Sequence, residues 1–357
     1  MVGAAGTQES EGDPDNTSLA AGLRSLASGH PWLSGTAVVI VVLVASLLIW
    51  GPQMDFPTTV SQTEQPAADG RTVVLDQTIR EVTGDAIDDG FDWLTEEGDF
   101  LFDGVSDATA WLLVRIEDGL KWLPWVAVIA GLALLSFGVG RWKLMAFTTL
   151  ALLYLGFMGL WSNAIDTIAL IVVAVAVSLA IGLPLGVLGA RNRLADNLMR
   201  PILDAMQTMP SFVYLLPGIL FFGLGKPAGI FATVIYAVPP VIRLTNLGIR
   251  QVSPEVVEAA LAFGSSPRQV LLKVQIPMAL PTIMAGINQT TLMALAMVTI
   301  ASMVAAGGLG DDVLRALQKN QSGNGVIAGL AIVFLAIIID RITQSIAAEN
   351  RERLTAG

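Results

Sequence analysis

VEAALAFGSSPRQVLLKVQIPMALP, residues 257–281, is the one long interval in the second half of the chain that is too polar to sit in a bilayer. It sets Glu258, Arg268 and Lys273 on a frame of Ala, Leu and Val. At helical period, Ala259, Leu261, Ala262 and Phe263 predict a first short helix. Gly264 stops it, because glycine accepts the left-handed conformation that ends many helices. Ser266 then serves as N-cap and Pro267 as first residue of a second helix. Val270, Leu271 and Val274 continue that helix until Pro277 and Pro281 bend the chain into the next apolar segment. The stretch reads as a helix–turn–helix between two membrane spans, a short fixed knob offered to the cytoplasm.

The surrounding chain is greasy. Of 357 residues 54% are hydrophobic and 14% charged, whereas soluble domains carry about 25% charged residues. Several apolar runs reach the ~18–20 residues that span a bilayer as a helix, and nothing alternates like a barrel strand. The expected fold class is an all-α polytopic membrane protein of about eight spans. The absence of cysteine excludes disulfide and zinc–thiolate chemistry, and a single histidine, His30, excludes a His-based centre in the membrane. No catalytic or metal-binding residue is expected. Gly223-Leu224-Gly225-Lys226 lacks the spacing of a phosphate loop, so the chain alone should not hydrolyse ATP. No basic patch with interleaved aromatics supports nucleic-acid binding. The net charge of −10 is concentrated: sixteen acids and four bases lie between Gly51 and Trp122.

Taken in order, residues 1–32 read as a disordered cytoplasmic tail and 33–50 as an uncleaved membrane anchor. Arg24 precedes the anchor and no base follows until Arg71, which puts the amino terminus inside. Residues 51–122 read as an acidic extracytoplasmic linker followed by an amphipathic helix or helix pair. Its apolar positions are Ile87, Phe91, Leu94, Leu101, Val105, Ala108, Leu112, Ile116 and Leu120, with Gly98 or Gly104 as a break. That face either lies in the membrane interface or packs against the rest of the protein. Residues 123–161 hold two accessory spans around a basic turn at Arg141-Trp142-Lys143. Residues 162–341 hold five more: 165–190 with a kink at Pro184, 203–224 interrupted by Pro210 and Pro217, 229–247 broken at Pro239-Pro240, 283–306 and 326–339. A short polar helix, 311–319, follows the Gly307–Gly310 turn. Residues 342–357 form a polar tail. The cytoplasmic loop 252–281 lies between the third and fourth of the five spans.

Glu258-Ala259-Ala260, three residues, Gly264, nine residues and then Val274-Gln275-Ile276-Pro277 resemble the EAA loop of ABC importer permeases. The family pattern has Ile where Val274 stands and Leu where Ile276 stands, both conservative departures. DAMQTMP (204–210), FVYL (212–215), PPVIRLTNLGIRQ (239–251), PTIMAGINQT (281–290), AGGLG (306–310) and LRAL (314–317) look like permeases of the glycine betaine/proline betaine family. The likeness covers roughly residues 85–345. It implies the type I ABC importer fold with a five-helix core, doubled around a twofold axis. It implies a multi-pass plasma-membrane protein whose partners are cytoplasmic ATPase subunits, an extracytoplasmic solute-binding protein and a second permease copy. ATP and magnesium would belong to the ATPase partner, with no cofactor in this chain.

By the same resemblance Glu258, Ala259, Ala260 and Gly264, with Pro277, form the contact that couples the permease to the ATPase. Arg268 and Lys273 are either polar contacts there or plain solvated charge. Along the path, Gln207, Thr208, Asn246, Asn288, Gln289 and Thr290 are either solute contacts or helix–helix glue. Pro184, Pro210, Pro217, Pro239 and Pro240 are either static kinks or hinges. No tight aromatic cluster stands out in the core, which leaves solute selection to a separate binding protein. An ATP-independent carrier or channel for a small polar solute is the competing reading, and it leaves the 257–281 loop unexplained.

Overall fold

The computed structural model describes residues 59–66 and 72–355. The expected tail at 1–32 and anchor at 33–50 lie outside the described residues. The chain divides after Asp88 into two compact units. In the first, where a linker was expected, strands β1 (Thr59–Pro66) and β2 (Thr72–Thr78) pair antiparallel, with Thr63 opposite Leu75. The Val/Thr-rich β2 suits a pleated surface. A capping box closes this unit: Thr78 N–H donates to Glu81 Oε2 (2.9 Å) and Glu81 N–H to Thr78 Oγ1 (3.3 Å). Those bonds hold the Glu81 carboxyl below its ordinary range.

Every regular element from Ile79 onward is helical, the solution that satisfies backbone polar groups without water. Helix α1 (Ile79–Trp122) runs unbroken through Gly98 and Gly104. From Phe91 on it packs against the rest of the large unit. Phe91 and Phe102 meet Phe221, and the Phe102–Phe221 rings stack at 4.4 Å. Phe222 and Phe231 complete the group, an aromatic cluster that a linear reading of the core missed. Farther along α1, Leu113 is buried with Leu112, Ile116 and Leu120 beside it. Glu117 and Lys121 reach Lys226 (2.5 Å) and Asp166 (2.7 Å), and the Asp166 hydrogen bond raises the Lys121 ammonium above its usual value.

Helix α2 (Trp125–Phe157) is a hairpin. Gly140 and Arg141 leave helical geometry, Arg141 at φ 58°. Ser136 Oγ and Thr148 Oγ1 are 2.8 Å apart, whereas twelve residues of straight helix would separate them by ~18 Å. Each arm is therefore only ~22–24 Å long. The core follows as α3 (Trp161–Arg191), α4 (Arg193–Thr208), α5 (Leu215–Phe222, after a 3-10 turn at Ser211–Tyr214), α6 (Lys226–Arg250), α7 (Pro254–Ala262), α8 (Pro267–Val270), α9 (Ile276–Ala301), α10 (Leu309–Gln318) and α11 (Ser322–Thr355). Among the described residues five helices are long and apolar enough to cross a membrane when the α2 hairpin is counted as one continuous helix, or six if the bent pair Arg193–Thr208 and Ser211–Phe222 is one span.

The interruption expected in 203–224 falls at Pro210, where the two helices meet at 111°, while Pro217 lies inside α5. One further expectation needs correction. Helix α6 is not broken at Pro239-Pro240; both prolines are buried inside it. Helix α11 runs on through the polar tail to Thr355.

Helices α3, α6 and α9 make the centre. Ala169, Leu170 and Val173 of α3 pack with Ile230 and Val234 of α6 and Leu295 and Val298 of α9. Gly186 lets α3 and α6 touch, for a Cβ there would lie 2.8 Å from the Ile242 carbonyl oxygen. Helix α10 docks on α3 through Leu309 N–H to Thr167 Oγ1 (2.8 Å) and Asn163 Nδ2 to Asp312 Oδ2 (2.7 Å). At the start of α6, Gly225 N–H donates to Val304 O (2.8 Å), just beyond the end of α9.

The exposed helical hairpin as candidate functional site

The loop between α6 and α9 begins at a clamp. Asp196, 4% exposed, accepts from Arg200 (2.7 Å), Asn246 (2.7 Å) and Arg250 (3.1 Å). Arg250 also donates to Gly189 O (2.6 Å). The end of α3, the start of α4 and the end of α6 are thus fixed together one residue before Gln251. This network joins residues 50 or more apart in sequence, so no local pattern announces it.

From that base α7 projects. None of its residues is buried, although a nine-residue helix is marginal in water without packing. It ends in a Schellman motif: Ser265 N–H donates to Ala260 O (3.1 Å), Gly264 N–H to Leu261 O (2.9 Å), and Gly264 sits at φ +83°. The turn leads into a second capping box, in which Ser266 N–H donates to Gln269 Oε1 (2.8 Å) and Gln269 N–H to Ser266 Oγ. Pro267 takes the first helical position.

Val270 and Leu271 are buried, Leu271 against Ile249, Ala279 and Ile283. They seat the second arm on α6 and α9. A π-helical turn, Leu271–Gln275, joins α8 to α9, and its widened bond from Ile276 N–H to Leu271 O comes one residue before Pro277. Pro277 lacks an N–H and crowds the carbonyl four residues back, and the wider turn absorbs that defect. The apolar rod consequently runs unbroken from Pro267 to Val304.

Glu258, Ala259, Gly264, Arg268 and Lys273 all lie on the exposed side, with Ala260 and Pro277 half-buried. Phe263 is 91% exposed, and Leu261 and Leu272 are open beside it. Charged and apolar groups share a surface that the described residues leave open.

The expected path residues differ in their surroundings. Asn246 is held by Asp196. Asn288 donates to Asp340 (3.3 Å) and accepts from Thr343. Gln207, Thr208 and Gln289 are exposed, and Thr290 is buried. Pro184 and Pro217 lie within helices.

Residues 182–351 match the family described as binding-protein-dependent transport system inner membrane component. The chain is 44% identical over 267 residues to the glycine betaine/proline betaine transport system permease protein ProW of Escherichia coli, covering 75% of each chain. It belongs to the glycine betaine/proline betaine permease family of ABC importers. The Bacillus subtilis glycine betaine transport system permease protein OpuAB is 42% identical over 279 residues, 78% of this chain and 99% of that one. The Listeria monocytogenes glycine betaine/carnitine transport permease protein GbuB is 45% identical over 253 residues, 68% of this chain and 89% of that one. The permease is thus a multi-pass membrane subunit that works with an ATPase and a solute-binding protein, and ATP hydrolysis takes place in the ATPase partner.

Proposed function

We propose that this permease lines the path of an ATP-driven importer for glycine betaine, proline betaine or a related quaternary amine, working as a homodimer. The substrate class follows from its relatives, whose names cite glycine betaine, proline betaine and carnitine. Five core helices from each of two copies would enclose the path about a twofold axis. The amino terminus and the 257–281 loop would face the cytoplasm, as the basic residues at 141–143 and 191–200 favour.

The loop is the docking element. The observation that carries this reading is that α7 buries nothing against the described residues while Phe263 stands almost fully exposed beside it. An amphipathic helix laid in a groove is a common recognition mode. Ala259 and Ala260 permit close approach, Gly264 sets the turn, Glu258 bonds to a backbone amide or basic group, and Arg268 and Lys273 flank the contact. Pro277 keeps the second arm aligned with α9. Of the prolines, Pro210, at the 111° break, is the hinge. Gln207, Thr208 and Gln289 face the solute, and Asn246 and Asn288 hold helices together.

Uptake of labelled glycine betaine, choline and proline into proteoliposomes, with and without ATP and the cognate subunits, tests this reading. Equal uptake without the ATPase would favour the carrier or channel instead.

A further inference from the structure

The tip of the α2 hairpin meets the later turns of α11 at one end of the bundle. Phe147 and Tyr154 of the second α2 arm both pack edge-on against Phe334 of α11, at 5.9 and 5.2 Å. Tyr154 also donates its hydroxyl to Ile327 O (3.1 Å). Between the two elements lies an open groove of about 700 Å3. Val139, Leu144, Phe147 and Ile337 line it with hydrocarbon, and Lys143 and Arg341 bring two positive charges to it. Among the described residues no carboxylate lines the groove. The nearby Asp340 carboxylate accepts instead from Asn288 and Gln344. Arg141 adds a third positive charge in the adjoining turn, and Trp142, 63% exposed, is a residue type that settles at headgroup level.

The geometry points to a binding site for an anionic glycerophospholipid, its phosphate between Lys143 and Arg341 and an acyl chain along the apolar floor. The two halves of the lining select the occupant. A small inorganic anion would leave the hydrocarbon floor unused, and a neutral lipid would leave two cations unmatched. An amphiphile with a negative head satisfies both, and basic pockets between membrane helices are known to hold such head groups. The site joins the accessory hairpin to α11, away from the 257–281 loop, and does not depend on how that loop acts.

The test uses the complete importer in nanodiscs of phosphatidylethanolamine doped with phosphatidylglycerol that carries a photoreactive acyl chain. Crosslinked residues are mapped by mass spectrometry. The expected result is labelling concentrated at residues 139–147 and 334–344. Each basic side chain near a membrane contributes about five-fold in association, so the Lys143→Gln/Arg341→Gln pair should lower labelling at least ~10-fold. The charge-keeping pair Lys143→Arg/Arg341→Lys should retain it, which separates lost charge from lost folding. Three results would overturn the site: undiminished labelling in the glutamine pair, equal labelling by a phosphatidylcholine photoprobe, or displacement of the lipid by excess inorganic phosphate. The last would mark a free-anion site. Loss of labelling in the charge-keeping pair would likewise defeat the charge argument.

Discussion

Lys226 Nζ lies 2.5 Å from Glu117 Oε1 across 109 residues of chain, and Glu117 is only 7% exposed. With Lys121 and Asp166 the pair binds the acidic helix α1 to the first turns of α3 and α6. A buried carboxylate that loses its cation is left desolvated and poorly matched.

Lys226→Met should therefore destabilise the solubilised permease. The loss should fall below the ~3–5 kcal/mol of a fully buried broken pair, because Lys226 is a third exposed. Adding Glu117→Gln should restore part of it. Thermal unfolding of the single and double variants measures both, and a double variant no more stable than Lys226→Met alone would contradict the assignment.

Gly264→Pro forces φ from +83° to about −65° and removes the N–H that donates to Leu261. The permease should still insert, but ATP-driven uptake should fall by at least ~10-fold, and by less in Gly264→Ala, where the strain is of order 1–2 kcal/mol. Glu258→Lys, which reverses a charge on the exposed face, should also abolish uptake. Normal uptake by Gly264→Pro or by Glu258→Lys would remove the docking role from the loop.

Phe263 touches little of its own chain, so Phe263→Ser should change the stability of the isolated permease by no more than ~0.5 kcal/mol. It should nevertheless weaken co-purification with the ATPase subunit. A stability loss with unchanged association would mean that the ring packs within the permease.

Gly186→Val places methyl groups against the Ile242 carbonyl and Thr245. Separating α3 from α6 should cost about 1–3 kcal/mol, seen as a lower melting temperature. Gly131→Val, on an open helix face with nothing within 4 Å, is the neutral control.

The capping box at Thr78 predicts a pH effect. Hydrogen bonds from Thr78 lower the Glu81 pKa from its model-peptide value of 4.5. The stabilisation is therefore full above about 4.5 and is lost as pH falls through the lower folded value. Amide exchange at residues 79–83 should accelerate below that window in the native chain but show no such step in Glu81→Gln.

Local signals carried much of the loop. Gly264 and the Ser266-Pro267 pair act within a few residues, and the structure puts a Schellman turn and a capping box where they stand. The basic turn at 141–143 was legible for the same reason. Asp196 with Arg250, and Lys226 with Glu117, were not, because their partners are chosen by how distant helices pack. The interruption at Pro210 was legible from the proline itself, but its 111° angle was not, because the apolar end of amphipathic α4 merges in sequence with apolar α5. Pro239-Pro240 misled in the opposite sense: proline weakens an isolated helix, but these two are enclosed by packed neighbours.

The rod from Pro267 to Val304 holds 38 residues and so measures ~57 Å. Rocked about its middle by ~5°, such a lever displaces each tip by ~2–3 Å, given the ~1.5 Å rise per residue. Its far tip receives the Gly225 amide, so a tug at the Ser266 end would be carried along the rod to the turn that opens α6.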